Sequence, residues 1–267
     1  MKKRKICIVG PFPPIKGGIS QYNEFLANEL KRESEVCCLS YKRQYPKFLI
    51  KKREQVDASY KGSAQADFII DSINPLSWGA AFMRIKKFNP DLVILPWWVV
   101  YWSPMYLFLL TLFRLFGIKE LLICHNIYEH EGSWLKKTLS KVVFKMARVF
   151  IVHSESEKIK LKRIVGKKVI VKHLLPRYSF NTFESNITVK KSDDILRLLF
   201  FGFVRPYKGL DLLLEALRYI DSSTKVHLTI AGEFWNDKSN YLSYIEKHKL
   251  TNIDIIGEYI SDEMVGT

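Results

Sequence analysis

The sequence predicts an α/β protein built from parallel sheets with helices on both faces. Two observations carry the prediction: short runs rich in Val, Ile and Leu recur along the chain, and longer amphipathic stretches separate them. A third, the length of 267 residues with 48% apolar and 26% charged side chains, supplies about two domains with a sizeable core and excludes a disordered chain.

The first apolar run, residues 5–9, is bounded by a basic start and by the Gly10-Pro11 turn, so it reads as a strand. The same reasoning places strands at residues 35–40, 67–70, 91–95, 120–124, 148–153, 169–172, 196–201, 226–231 and 253–256. Between them the spacing predicts helices at residues 19–32, 78–88, 105–116, 135–146, 155–164, 210–220 and 240–248. The polar segment 178–194 separates two such series, giving domains of residues 1–187 and 188–267. Residues 92–113 hold no charge and are long enough to cross a bilayer. Pro96 and Pro104 interrupt them, so a buried strand followed by an amphipathic or membrane-contacting helix is favoured over a span.

Charge is unevenly placed. The formal net charge is +15, and residues 1–187 hold 32 basic against 15 acidic side chains, net +17, while residues 188–267 hold 10 against 12, net −2. The first part therefore calls for an anionic partner: a nucleic acid, a phospholipid surface or a phosphorylated ligand. Residues 41–53, Tyr-Lys-Arg-Gln-Tyr-Pro-Lys-Phe-Leu-Ile-Lys-Lys-Arg, mix basic and aromatic residues as an interfacial patch does, although a solvated loop has the same composition. Cys7, Cys37, Cys38 and Cys124 are too few and too irregular for a disulfide scaffold and form no C-x-x-C pair; they read as reduced thiols of a cytosolic protein. No secretory signal opens the chain.

In open parallel sheets ligands bind beyond the carboxyl ends of the strands. Four stretches there carry candidate chemistry. After the first strand, Gly17 and Gly18 end a Pro and Gly turn that feeds a helix, whose free amides can hold a phosphate or a sugar hydroxyl; a plain connecting loop has the same sequence. The turn is neither G-x-G-x-x-G nor a Walker loop, which disfavours a standard dinucleotide or ATP site. The strand at residues 120–124 ends in His125-Asn126, followed by His130-Glu131. His125 can share a proton or donate a hydrogen bond to a reacting sugar or phosphate, or be structural; its spacing to His130 fits no usual zinc pair. His153-Ser154 reads as an ordinary helix start with Ser154 as N-cap.

The second series opens with Gly202-Phe-Val-Arg205-Pro-Tyr-Lys208-Gly209 between a buried strand and an amphipathic helix, and a later strand ends in Ala231-Gly232-Glu233. Arg205 and Lys208 suit neutralisation of a diphosphate leaving group, although Lys208 alone also fits a solvated loop.

Taken together, the Gly17-Gly18 loop, the Cys-His-Asn then His-Glu stretch at residues 124–131 and the loop at residues 201–209 resemble family 4 of the retaining GT-B glycosyltransferases. The resemblance extends over the N-terminal two-thirds of such an enzyme. It implies two Rossmann-like domains facing a cleft, the acceptor held by the first and a nucleotide diphosphate sugar by the second. Gly17 and Gly18 would approach the donor phosphates or the acceptor, His125 the transferring sugar, and Arg205 and Lys208 the departing nucleoside diphosphate. Asn126, Gly202 and Glu233 join the candidate binding residues. The resemblance further implies a glycan or lipid-linked acceptor, peripheral attachment to the inner face of the cell membrane, no cofactor and no metal. Relatives carry a later loop with two glutamates seven residues apart, and residues 188–267 stop short of it, so the second domain is expected to be incomplete and the chain's own activity impaired. Two other classes compete: a non-catalytic membrane-associated or regulatory relative, and a basic nucleic-acid-binding protein, for which no stacking or groove-reading motif is evident.

Overall fold

The computed structural model describes residues 3–46, 48–49, 55–58, 60, 66–128, 134–176, 194–221, 224–235 and 237–260. The chain divides into two compact units, Met1–Tyr178 and Ser179–Thr267. The segment 178–194 read as the linker lies outside the described residues except for Asp194.

The first unit holds strands β1 (Arg4–Val9), β2 (Ser34–Arg43), β3 (Asp67–Asp71), β4 (Leu92–Trp97), β5 (Glu120–Cys124), β6 (Val149–Val152) and β7 (Val169–Lys172), with helices α1 (Gly18–Lys31), α2 (Pro75–Phe88), α3 (Ser103–Leu115), α4 (Trp134–Met146) and α5 (Glu155–Val165). All seven strands pair in parallel, in the order β3-β2-β1-β4-β5-β6-β7. The order reverses between β1 and β4, which opens a crevice at their carboxyl ends. Alternation along each strand sends successive side chains to opposite faces: Cys7 and Val9 join Leu95, Leu122 and the buried faces of α2 to α5, whereas Ile6 and Ile8 join Ile94, Ile123 and the Tyr22 and Ala27 face of α1. All four cysteines are buried free thiols.

The second unit holds β8 (Ile195–Phe201), β9 (Lys225–Ala231) and β10 (Ile253–Ile256), paired in parallel in the order β10-β9-β8, with α6 (Leu210–Leu217) and α7 (Lys238–Lys247). Leu210, Leu214, Leu228, Ile230 and Phe234 form its core, with Tyr241 and Tyr244 of α7 against it.

Residues 92–113 resolve into β4, a 3₁₀ turn at Val100–Trp102 and α3, whose Met105, Tyr106, Leu109, Leu110 and Phe113 enter the core. Among the described residues no helix is long and apolar enough to cross a membrane. Pro96 does not interrupt the strand. Pairing of β4 with β1 ends at Ile94, so the amide that Pro96 lacks faces no partner strand, and the Pro96 carbonyl accepts the Tyr106 hydroxyl instead. Helix α2 starts three residues before its expected first turn, because Asn74 caps it by accepting from the Leu76 N–H and Pro75 fits the first helical position.

Candidate active site

The loop after β1 is tied down on both sides. Phe12 N–H donates to Ser40 Oγ at 3.1 Å, Asn23 Nδ2 to the Pro11 carbonyl at 2.8 Å, and Lys16 N–H to the Gln55 carbonyl at 2.8 Å. Gly17 then adopts φ 121°, a conformation L side chains rarely take, and heads α1 without any side-chain cap. A Cβ on either Gly17 or Gly18 would find no atom within 4 Å. The two glycines thus leave open space in front of the first amides of a fourteen-residue helix, where a phosphate or hydroxyl oxygen can approach.

His125 follows β5, and its backbone N–H donates to the Trp97 carbonyl at 2.8 Å, fixing the residue to the end of β4. Its ring meets Tyr22 of α1 edge-on, with 4.7 Å between centroids, and lies 5.1 Å from the ring of His153. Tyr22 also meets His153 at 5.7 Å. Burial, with a smaller contribution from His153, pushes the His125 pKa down to about 3, so the imidazole is neutral near pH 7. Its Nε2 is inaccessible and has no hydrogen-bond partner. Asn126 is exposed, and its Nδ2 donates to the Trp98 carbonyl at 3.2 Å. His130 and Glu131 lie outside the described residues. Through Tyr22 the structure brings the helix that starts at Gly18 and His125 together beyond the carboxyl ends of the inner strands of the first sheet.

In the second unit the strand ends pack backbone against backbone. Gly202 takes φ 92°, and a Cβ on Gly232 would lie 2.1 Å from the Gly202 carbonyl oxygen, so position 232 excludes every side chain. This contact sets the loop that carries both cations. The Arg205 guanidinium stacks over Trp235, 3.6 Å from the ring centroid, and Lys208 Nζ packs so close to Gly202 that a Cβ there would be 3.1 Å from it. Arg205 Nε is buried without a hydrogen-bond partner. Burial and then the nearby Arg205 charge lower the Lys208 pKa. Glu233 contributes its backbone carbonyl to the Val204 N–H at 2.9 Å. Gly202, Arg205, Lys208 and Glu233 therefore converge at the carboxyl ends of β8 and β9.

Two residues escaped the sequence reading. Ser154 is the N-cap of α5, as read, accepting from the Glu157 N–H, but His153 beside it also joins His125. Tyr22 gave no signal beyond its place on an apolar helix face. Among the described residues no group of three or more His, Cys, Asp or Glu is placed to hold a metal ion.

Solved structures with a similar fold include the lipopolysaccharide outer core galactosyltransferase WaaB in its apo form, at TM-score 0.60 and 13% identity over 97% of this chain and 69% of that one. An alpha-glucosyltransferase in complex with UDP-glucose and DNA containing an abasic site matches at TM-score 0.63 and 14% identity, over 99% and 70%. The UDP-GlcNAc 2-epimerase from Methanocaldococcus jannaschii matches at 0.58 and 10%, over 98% and 75%. The fold is therefore α/β of the GT-B type, as the sequence predicted. No protein-family model matches the chain, and no curated protein matches its sequence.

Proposed function

We propose that the protein is a glycosyltransferase that moves a sugar from a nucleotide diphosphate donor to a glycan or lipid-linked acceptor, with retention at the anomeric carbon. The observation that carries this reading is the pair Arg205 and Lys208, held beside Gly202 at the end of a parallel strand with one guanidinium nitrogen buried and unpartnered. Two mutually repelling cations gain from an anion between them, and a diphosphate supplies four to six acceptor oxygens there. In the reaction the anomeric C–O bond breaks with its electron pair on the diphosphate oxygen, where Arg205 and Lys208 meet the charge. The acceptor hydroxyl oxygen bonds to the same carbon, on the face from which the diphosphate departs, and its proton passes to the departing diphosphate oxygen. His125, neutral, and Asn126 are assigned to hydroxyl groups of the sugar, and the Gly17-Gly18 loop to donor phosphate or acceptor. With two cations at the leaving group, no metal is needed for charge stabilisation, so turnover is expected to persist in EDTA.

Peripheral attachment at an anionic, cytoplasmic membrane face is part of the proposal. Supporting it, Phe48 and Leu49 are 78% and 50% exposed in the basic segment, and α4 presents Trp134, 79% exposed, ahead of Lys136, Lys137, Lys141 and Lys145. The test is calorimetric titration with UDP and GDP, followed by a nucleotide-release assay with a panel of nucleotide sugars and glycan or lipid-linked acceptors. Saturable binding and acceptor-dependent release support the reading. No nucleotide binding, or interconversion of UDP-GlcNAc at sugar C2 without transfer, would overturn it.

A further inference from the structure

Glu157 lies in the first turn of α5, three residues after the N-cap Ser154. A serine cap with a glutamate at that spacing ordinarily closes on itself: the serine accepts from the glutamate N–H, and the carboxylate turns back to the N–H of the cap residue. Among the described residues only the first half forms. Ser154 Oγ accepts from the Glu157 N–H at 3.2 Å, whereas Glu157 Oε2 accepts from the Ile127 N–H at 2.7 Å. The other oxygen, Oε1, accepts from Lys160 Nζ at 2.7 Å, and the glutamate side chain is 20% exposed. The reach is possible because β6 pairs with β5, so the first turn of α5, which follows β6, stands beside the loop that follows β5.

That loop is His125-Asn126-Ile127, and all three residues are anchored. His125 N–H donates to the Trp97 carbonyl at 2.8 Å and Asn126 Nδ2 to the Trp98 carbonyl at 3.2 Å, which ties the loop to the end of β4. Glu157 ties it from the opposite side. Ile127 is fully buried, so its N–H needs a partner inside the protein, and a bond to a carboxylate is roughly twice as strong as a neutral one. A helix that surrenders half of its own cap to a neighbouring strand end breaks a local rule, and such breaks mark constrained sites. We propose that Glu157 is a positioning residue: its carboxylate holds the loop that carries His125 and Asn126. This deepens the proposed function and rests on it for one consequence, that the loop serves hydroxyl groups of a sugar. Removing the carboxylate should then weaken binding of the sugar part of a donor more than binding of its nucleotide part.

The experiment is amide hydrogen exchange and ¹H–¹⁵N spectroscopy of the full chain as wild type, Glu157→Ala and Glu157→Gln. In Glu157→Ala the Ile127 amide should exchange about 10- to 100-fold faster, the loss of one charge-assisted hydrogen bond. The side-chain amide signals of Asn126, whose own bond runs to the Trp98 carbonyl, should shift as well. Glu157→Gln keeps an oxygen at the same reach and should restore the Asn126 signals and most of the Ile127 protection. A residue that only caps its helix would instead speed exchange at residues 155–158 and leave Ile127 and Asn126 unchanged, which would overturn the proposal. Should Glu157→Ala fail to fold, the wild type decides through a correlation across the hydrogen bond, from the Ile127 nitrogen to the Glu157 carboxyl carbon. Its presence supports the assignment, and its absence from a spectrum that shows the backbone bonds of β5 overturns it. Calorimetry with UDP and UDP-glucose reads the consequence for the site: Glu157→Ala should lose about tenfold more affinity for UDP-glucose than for UDP, and equal losses would count against positioning. Absence of nucleotide binding by the wild type fails the proposed function alone, because the exchange measurements involve no ligand.

Discussion

Replacing Gly232 by alanine tests whether the cation loop is set by backbone packing. The new Cβ would stand 2.1 Å from the Gly202 carbonyl oxygen, 2.6 Å from its carbon and 3.2 Å from its Cα. Side-chain carbons almost never approach below 3.0 Å, so the two strand ends must separate by at least 0.9 Å. Gly232 also has φ 152°, outside the range comfortable for L residues. Backbone strain of about 1–3 kcal/mol and displacement of packed atoms of about 1–3 kcal/mol together give ~2–6 kcal/mol. For a unit of this size that corresponds to a fall of roughly 4–8 °C in melting temperature per kcal/mol. The Gly202–Ala231 and Gly232–Ile256 backbone hydrogen bonds, both 2.9 Å, lie in the displaced region. Hydrogen exchange should therefore speed up in the peptides carrying β8, β9 and β10, and UDP affinity should fall because Lys208 packs on Gly202. Gly18→Ala is the control: nothing lies within 4 Å of its Cβ, and alanine favours a helix over glycine by about 0.5–1 kcal/mol. Protection in the second unit of Gly232→Ala within ~0.5 kcal/mol of wild type would refute the reasoning.

Lys208→Gln and Arg205→Gln should each weaken UDP binding by about 10- to 100-fold, the equivalent of one charge-assisted hydrogen bond of ~1.5–3 kcal/mol, with melting nearly unchanged; equal UDP affinity in calorimetry would remove both from the site. The pKa of His125, held at about 3, lies below the ~6.5 of an unfolded imidazole, so the unfolded chain takes up a proton that the folded chain refuses. Stability from this residue is complete above ~6.5 and is lost as the pH falls toward 3; denaturant titrations of His125→Gln should show a flatter acid limb, and an identical limb would contradict the burial. The chain should co-sediment with vesicles containing phosphatidylglycerol, less so at high salt and less in Trp134→Asp; equal sedimentation with neutral vesicles would argue against an electrostatic contribution.

Much of the architecture was legible because each element satisfies its rules locally. Strands β5, β7 and β10 match their expected bounds, since β-branched or leucine runs there end abruptly at His, Gly or polar residues. Where tertiary contacts govern, the reading slipped. The strand was expected over residues 91–95, yet β4 runs through Pro96 to Trp97, because β1 stops pairing two residues before the proline, a fact about a neighbouring strand that residues 91–97 do not contain. Helix α6 ends at Leu217, not at residue 220, with the Arg218 and Tyr219 amides closing the last turn onto Glu215 and Ala216. The start of α2 is written locally in Asn74-Pro75, a capping side chain followed by a proline at the first helical position.

The candidate site divides along the same line. Arg205, Lys208, His125 and the Gly17-Gly18 pair are visible in sequence because each stands just beyond a strand, where a parallel sheet exposes its chemistry. Their settings are not visible. That Gly202 and Gly232 touch depends on β8 and β9 running side by side in register, Phe201 opposite Ala231, with a glycine following each. That His153 faces His125 depends on β6 lying next to β5 with Val152 opposite Cys124. In both cases two residues that each follow a strand become neighbours because the strands do. A parallel sheet converts equal position at successive strand ends into spatial contact, so residues that look unremarkable singly, such as a histidine before a helix cap, gain neighbours at the site once the strand order is known. The order β1-β4-β5-β6 is the piece of information the sequence withheld, and it is the one that places His153, Tyr22 and His125 together.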